Sequence, residues 1–190
     1  FDGAWEIPTF DEILELARRL GVGVIPETKH PSYFASVGLP LEPGLVAALD
    51  GFGLPVIVQS FETENLRALA GTFAGEIVQL FNSVGRSPAD GSGVTYGDLA
   101  SPSGLSGVAA YAEWVGPPKS YVFRDGAATS FAEDAHAAGL RVMPYTFRRE
   151  AQFLADFGSA IEEFREFFAA GVDGVFTDNP DLAVAARLSP

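Results

Sequence analysis

The sequence predicts an α/β protein built from parallel strands covered by helices, and within that class a (β/α)8 barrel that is incomplete at its N-terminus. Three observations carry this. Strand-like and helix-like runs alternate from end to end of the 190 residues, the pattern of parallel β-structure with helical crossovers. The strand-like runs are short and mostly apolar, as strands covered on both faces are. Several of them finish in polar or aromatic residues ("PETK", "VQSF", "VQLFN", "PYTFR", "FTDNP"), and a barrel collects its functional groups at that end of its strands. An eight-unit barrel typically occupies about 250 residues; about six units are visible, so about two are expected to be lacking at the front. An open doubly wound sheet would also hold six strands, but no glycine-rich phosphate loop follows any of them.

The elements follow in order. "TFDEILELARRL" from Thr9 to Leu20 reads as an amphipathic helix with Phe10, Ile13, Leu14, Leu16 and Ala17 on its apolar side. Strands are predicted at Val22–Thr28, Pro55–Phe61, Glu76–Phe81, Ser120–Phe123, Leu140–Phe147 and Gly174–Thr177. Helices are predicted at Gly44–Leu49, Glu64–Phe73, Gly104–Trp114, Phe131–Ala138 and Ile161–Ala170, with Asp181–Leu188 as a terminal one. No low-complexity linker divides the chain, so residues 1–190 read as a single domain. The connection from Asn82 to Gly104, rich in Gly, Ser and Pro, is long enough to be a substrate-facing loop or a mobile one.

Composition narrows the partners. A net charge of −13 argues against nucleic acid or an anionic membrane as the main partner. An anionic small molecule stays admissible, because one bound divalent cation inverts the charge of a pocket. No run is apolar for long enough to span a bilayer. The chain contains no cysteine, which rules out disulfides and thiolate metal sites. It begins at Phe1, so a targeting signal could lie upstream.

The strand "GVGVIPETKHP" places Glu27 and Lys29 two residues apart, and side chains at i and i+2 share one face of a strand. This pair is either a solvated ion pair or a metal ligand beside a phosphate-binding cation. His30 points to the other face and reads as structural or as a rim residue; His136 leads from a helix into a strand and lies at the wrong end of a barrel for catalysis. Tyr145, Thr146, Phe147 and Arg148 crowd another strand end, with Phe61 on a third. An aromatic wall of Phe61, Tyr145 and Phe147 would pack substrate carbons unless it is barrel core, and Arg148 would reach phosphate bidentately unless it pairs with Glu150. Asp178 is expected to hydrogen-bond loop amides and close the barrel.

"EIPTFDEILELAR", "GVGVIPETKHP", "PVIVQSFE", "HAAGLRVMPYTFR" and "GVDGVFTDNPDLA" occur in that order over nearly the whole chain. Together they resemble the glycerophosphodiester phosphodiesterases, with "ETKHP" and "PYTFR" similar to the periplasmic or secreted branch. The resemblance implies a (β/α)8 TIM barrel of the phosphodiesterase type that hydrolyses glycerophosphodiesters to glycerol 3-phosphate and an alcohol, in lipid and glycerol metabolism. It implies a divalent metal ion, Ca2+ or Mg2+, with Glu27 as one carboxylate ligand and Lys29 as the phosphate contact. It further implies a histidine pair and an "E-x-D" carboxylate pair that this chain lacks; the family's "HRG" and "HD" segments do not occur in it. On this reading the 190 residues are the C-terminal three-quarters of the domain and are inactive alone.

Two other readings compete. A non-catalytic barrel of the same fold would bind a ligand or partner. An unrelated barrel hydrolase or aldolase would use Lys29 as a Schiff-base amine, which the neighbouring Glu27 disfavours by keeping the lysine protonated.

Overall fold

The computed structural model describes Gly3, residues 6–154 and residues 156–188. The helices are α1 (Phe10–Leu20), α2 (Pro31–Ser36), α3 (Glu42–Leu49), α4 (Thr63–Ala70), α5 (Tyr96–Leu99), α6 (Pro102–Val108), α7 (Phe131–Ala137), α8 (Ala160–Ala169) and α9 (Pro180–Leu188). The strands are β1 (Ile57–Ser60), β2 (Glu76–Leu80), β3 (Trp114–Gly116), β4 (Phe123–Arg124), β5 (Ala127–Ala128) and β6 (Arg141–Val142). β1, β2, β3 and β6 lie side by side in sequence order, all parallel. Single parallel bridges extend this row at both ends. Val24 and Glu27 pair with Val56 and Gln59, and Phe147 pairs with Thr177. The result is six parallel segments in chain order, each followed by helix, which is the arc of a (β/α)8 barrel.

The two faces of the arc differ. Val58, Ile77, Val115, Val142 and Phe147 point outward into the main core, against Leu66 and Leu69 of α4, Leu105 and Val108 of α6, Ala135 of α7, and Phe164 and Phe167 of α8. Val78, Leu80 and Met143 point inward, joined by Ile57, Phe61, Trp114, Tyr145 and Phe176. At Gly116 a Cβ would meet Leu80 Cδ2 at 2.6 Å, so the interior layer needs glycine there. At the N-terminal strand ends a cavity of about 1320 Å³ opens between α3, α4 and the starts of β1 and β2.

Local signals account for the helix ends. Thr9 and Glu12 form a reciprocal capping box at the start of α1, and Gly21 stops the helix in a left-handed conformation (φ 65°). Only part of the predicted apolar side of α1 is covered: Leu14 and Ala17 are buried, whereas Ile13 and Leu16 are exposed.

The fourth parallel segment departs from expectation. It runs at Trp114–Gly116, not Ser120–Phe123, and the helix before it is Pro102–Val108, not Gly104–Trp114. Pro117 and Pro118 keep the backbone extended beyond Gly116, and Pro118 bridges Tyr145. Ser120 sits in a 3-10 turn, Lys119–Tyr121. Phe123 and Arg124 instead pair antiparallel with Ala128 and Ala127. The turn between them is Asp125-Gly126, both at positive φ (53° and 74°), the residue pair that favours a tight hairpin.

Candidate functional site

A cleft of about 260 Å³ opens at the C-terminal ends of the first three parallel segments, lined by Glu27, Lys29, His30, Phe61, Glu62, Asn82, Arg86 and Tyr96 among others. Glu27 bridges Gln59 across the arc, and the next residue, Thr28, turns to the helix side, where its hydroxyl accepts from Asn65 Nδ2 of α4. The alternation therefore sets Glu27 and Lys29 on the interior side. Lys29 Nζ lies 3.6 Å from Glu27 Oε1, with the lysine side chain 68% exposed and the glutamate 24% exposed. Such an open pair contributes at most about 1 kcal/mol to stability. Glu27 Oε1 is shut off from solvent and receives no hydrogen bond.

Two aromatic residues stand beside this pair. Phe61 and Tyr145 meet edge to face at 6.0 Å between ring centres. The Tyr145 hydroxyl donates to the Phe81 carbonyl. Burial pushes its ionisation well above the ordinary tyrosine range, with Tyr96, Tyr121 and the Glu27 carboxylate adding to the shift. It stays a neutral phenol.

Phe147 does not belong to this wall. It has 0% exposure and lies on the outward face, stacked on Phe164 at 5.1 Å and edge-on to Phe167 at 4.8 Å. Tyr145 and Phe147 are two residues apart and would share a face in a regular strand, but this segment is held by isolated bridges and Phe147 turns outward. Arg148 is also held away from the cleft lining: its Nε donates to Asp178 Oδ2 at 2.8 Å and its guanidinium lies over the Phe153 ring. Its partner is Asp178 rather than Glu150, and Asp178 ties a strand end to Arg148 rather than capping loop amides. His30 sits on the cleft rim with a left-handed backbone (φ 54°) that turns the chain into α2. His136 is distant in role, paired with Asp173 Oδ2 at 2.9 Å where α7 leads into β6.

The cleft also contains groups that sequence reasoning passed over. Glu62, which follows Phe61, is 3% exposed; its Oε2 accepts from Ser32 N at 3.0 Å, and its Oε1 receives no hydrogen bond. Arg86 and Tyr96 come from the long 82–104 connection, which is folded and fastened. The Tyr96 hydroxyl donates to the Phe61 carbonyl at 2.9 Å, and Tyr121 donates to the Asn82 carbonyl at 2.7 Å. Asp90 Oδ2 accepts from the Thr63 backbone and hydroxyl and from Glu64 N, capping α4 from outside. The "ADG" at 89–91 was the available signal, an aspartate before glycine in a polar loop.

Among the described residues, no group of three His, Asp or Glu side chains that could hold a metal ion gathers anywhere. The hydrogen-bond-free Oε1 of Glu27 suits a hard cation as one oxygen ligand, but a cation of that type takes six or more oxygens. The described residues alone do not complete such a site.

The profile of the glycerophosphoryl diester phosphodiesterase family matches residues 2–182. The chain belongs to this family. Glycerophosphodiester phosphodiesterase GDPD6 of Arabidopsis thaliana is 28% identical over 207 residues, an alignment covering 94% of the chain and 55% of the relative. The chain therefore spans about half the length of that curated relative. A crystal structure from Agrobacterium tumefaciens, described as a candidate glycerophosphoryl diester phosphodiesterase, superposes with a TM-score of 0.63 at 20% identity. It covers 95% of this chain and 64% of that one. This likeness establishes the fold: the six-segment arc is part of a phosphodiesterase-type (β/α)8 barrel. No described helix is long and apolar enough to cross a membrane.

Proposed function

We propose that this chain supplies the phosphate-binding side of a glycerophosphodiester phosphodiesterase active site, one that releases glycerol 3-phosphate and an alcohol with the help of a divalent metal ion, Ca2+ or Mg2+. The observation that carries this is the Glu27–Lys29 pair on the interior side of a strand's C-terminal end, with a buried carboxylate oxygen that lies near the ammonium but accepts no hydrogen bond. Glu27 would hold the metal together with a carboxylate pair from outside this sequence. When bound, the ion would polarise the phosphoryl oxygens and offset their charge. Lys29 has an exposed ammonium that can settle on a phosphate oxygen and stabilise the charge that builds as the alkoxide departs. Phe61 and Tyr145 give the carbon part of the substrate an apolar surface beside those charges. Proton transfer falls to a histidine pair, for which neither His30 nor His136 is placed.

The chain is read as the C-terminal three-quarters of one barrel domain, and the similarity to the periplasmic or secreted branch makes that the proposed location. Titration of this chain with glycerol 3-phosphate in the presence of Ca2+ or Mg2+ tests the reading. Binding should weaken on Lys29→Ala, and its metal-dependent part should fall on Glu27→Gln. The 190 residues should show no turnover. Metal-dependent release of glycerol 3-phosphate by this chain alone would show that the catalytic groups lie elsewhere. Binding that ignores both substitutions would favour a barrel that binds some other ligand.

A further inference from the structure

Resting on the phosphodiester reading of the cleft, we infer that Arg86 is a second phosphate-binding cation and that Asp90 is the positioning residue that holds it there. The cleft has cations on two sides, Lys29 from the first strand and Arg86 from the 82–104 connection. In a chain of net charge −13 these two cations share the cleft with the carboxylates of Glu27 and Glu62, so anion binding there rests on a cation free of a carboxylate partner. Their surroundings differ. Lys29 has Glu27 as a partner, whereas no described carboxylate lies within ion-pair distance of Arg86. An unpaired guanidinium facing a phosphate-sized cleft offers the paired, coplanar donors that phosphate oxygens accept best.

The backbone around Arg86 is fixed although its side chain is exposed. Arg86 N donates to the Ser83 carbonyl, Tyr96 N to the Arg86 carbonyl, and Gly97 N to the Val84 carbonyl. Four residues further on, Asp90 anchors the segment to the start of α4, with Thr63 Oγ1 and Glu64 N each 2.9 Å from its Oδ2 and Ser92 N 3.1 Å from its Oδ1. Residue 63 follows Glu62 directly, and Phe61 and Glu62 form the facing wall of the same cleft. Asp90 thus fastens the segment to the Phe61–Glu62 wall together with the Tyr96 hydroxyl, which donates to the Phe61 carbonyl. Without Asp90, Arg86 would keep its charge but be held to that wall through Tyr96 alone.

The test is a double-mutant cycle in anion affinity, measured on this chain by titration calorimetry with inorganic phosphate and with glycerol 3-phosphate, each variant kept well below its melting temperature. Arg86→Ala lies on an exposed loop and threatens no core contact. It should weaken both anions about tenfold, the effect of losing one charge-assisted contact. Asp90→Asn should weaken them several-fold in the wild-type background and not further in the Arg86→Ala background, because Asp90 acts through Arg86. A purely structural role for Asp90 predicts losses that multiply, and that result overturns the positioning assignment. Should Asp90→Asn fail to fold, Arg86→Lys decides: it keeps the charge but not the fork, and full retention of affinity overturns the bidentate contact. If Lys29→Ala abolishes binding while Arg86→Ala matches wild type, the phosphate site stands and the second cation does not. If no variant or wild type binds either anion, both fall together.

Discussion

Phe147→Ala separates a core residue from a substrate contact. Phe147 has no exposed surface, stacks on Phe164, meets Phe167 edge to face, and lies under the Lys119 ammonium at 5.1 Å. Truncating a fully buried phenylalanine costs about 3–5 kcal/mol, from lost transfer free energy and the cavity left behind. The upper part of that range applies here, since the neighbours are rings on α8 that cannot collapse into the space without tilting the helix. For a chain of this size each kcal/mol moves the melting temperature by roughly 2–4 °C, so a fall of roughly 8–20 °C is expected. Differential scanning calorimetry measures the loss, and phosphate titration at low temperature measures the site. Stability should drop while affinity holds. A variant that melts within about 2 °C of wild type yet loses anion affinity would refute the outward placement of this ring and return it to the aromatic wall.

Other expectations concern charges. Burial pushes the Asp90 carboxyl upward, but bonds from Glu64, Ser92 and Thr63 outweigh this and hold it below the ordinary aspartate range. The folded value is thus the depressed one: the stabilisation is present above the unfolded value near 3.9 and lost as pH falls through the folded value. Asp90→Asn should therefore cost about 1–2 kcal/mol at pH 7, as losing a helix cap does, and urea titrations in acid should show that gap closing. Lys119→Met takes the ammonium from Glu163 Oε1, 2.6 Å away on a carboxylate with 0% exposure, and should destabilise by about 3 kcal/mol. Adding Glu163→Leu should recover part of that loss, which urea denaturation of the single and double variants will read. In a longer form that carries the histidine and carboxylate pairs, Glu27→Gln should lose activity that added metal partly restores. Lys29→Ala should lose on the order of 10²-fold with no such rescue, and equal rescue of both would dismantle the paired site.

How much of this was legible in the residues depends on the range of the interactions involved. The alternation of strand and helix is local, and five of six strand positions follow from it. The fourth moved because "SYVF" has the composition of a strand, while the pairing partner of β3 is set by register with β2 and β6, which no local pattern reports. Glu27 and Lys29 were visible because their relation is two residues long. Tyr145 and Phe147 share that spacing parity, yet Tyr145 lines the interior and Phe147 is outward. Strict alternation breaks across the "PYTF" segment, whose inter-strand contacts are isolated bridges rather than a continuous ladder. Arg86 gave no signal, and the "ADG" turn marked Asp90 without naming its partner, for a different reason. Their meaning comes from contacts made across 27 residues, from Asp90 back to Thr63, and a glycine- and serine-rich loop looks the same whether or not its ends are fastened.

The strand that bears Glu27 is joined to the β1 side by two bridges, at Val24 and Glu27, with four backbone hydrogen bonds, whereas β1 and β2 share a continuous ladder of four residue pairs. Local opening draws on such weakly held segments first. Amide exchange should therefore be faster along residues 22–28 than in β1 and β2, and an anion gripping Lys29 should slow it. Occupancy of the cleft would then be written into the protection of one outer strand, leaving the interior ladder unchanged. Part of any ligand's binding free energy would be spent on quieting that motion, making affinity at this edge depend on how often the strand lets go.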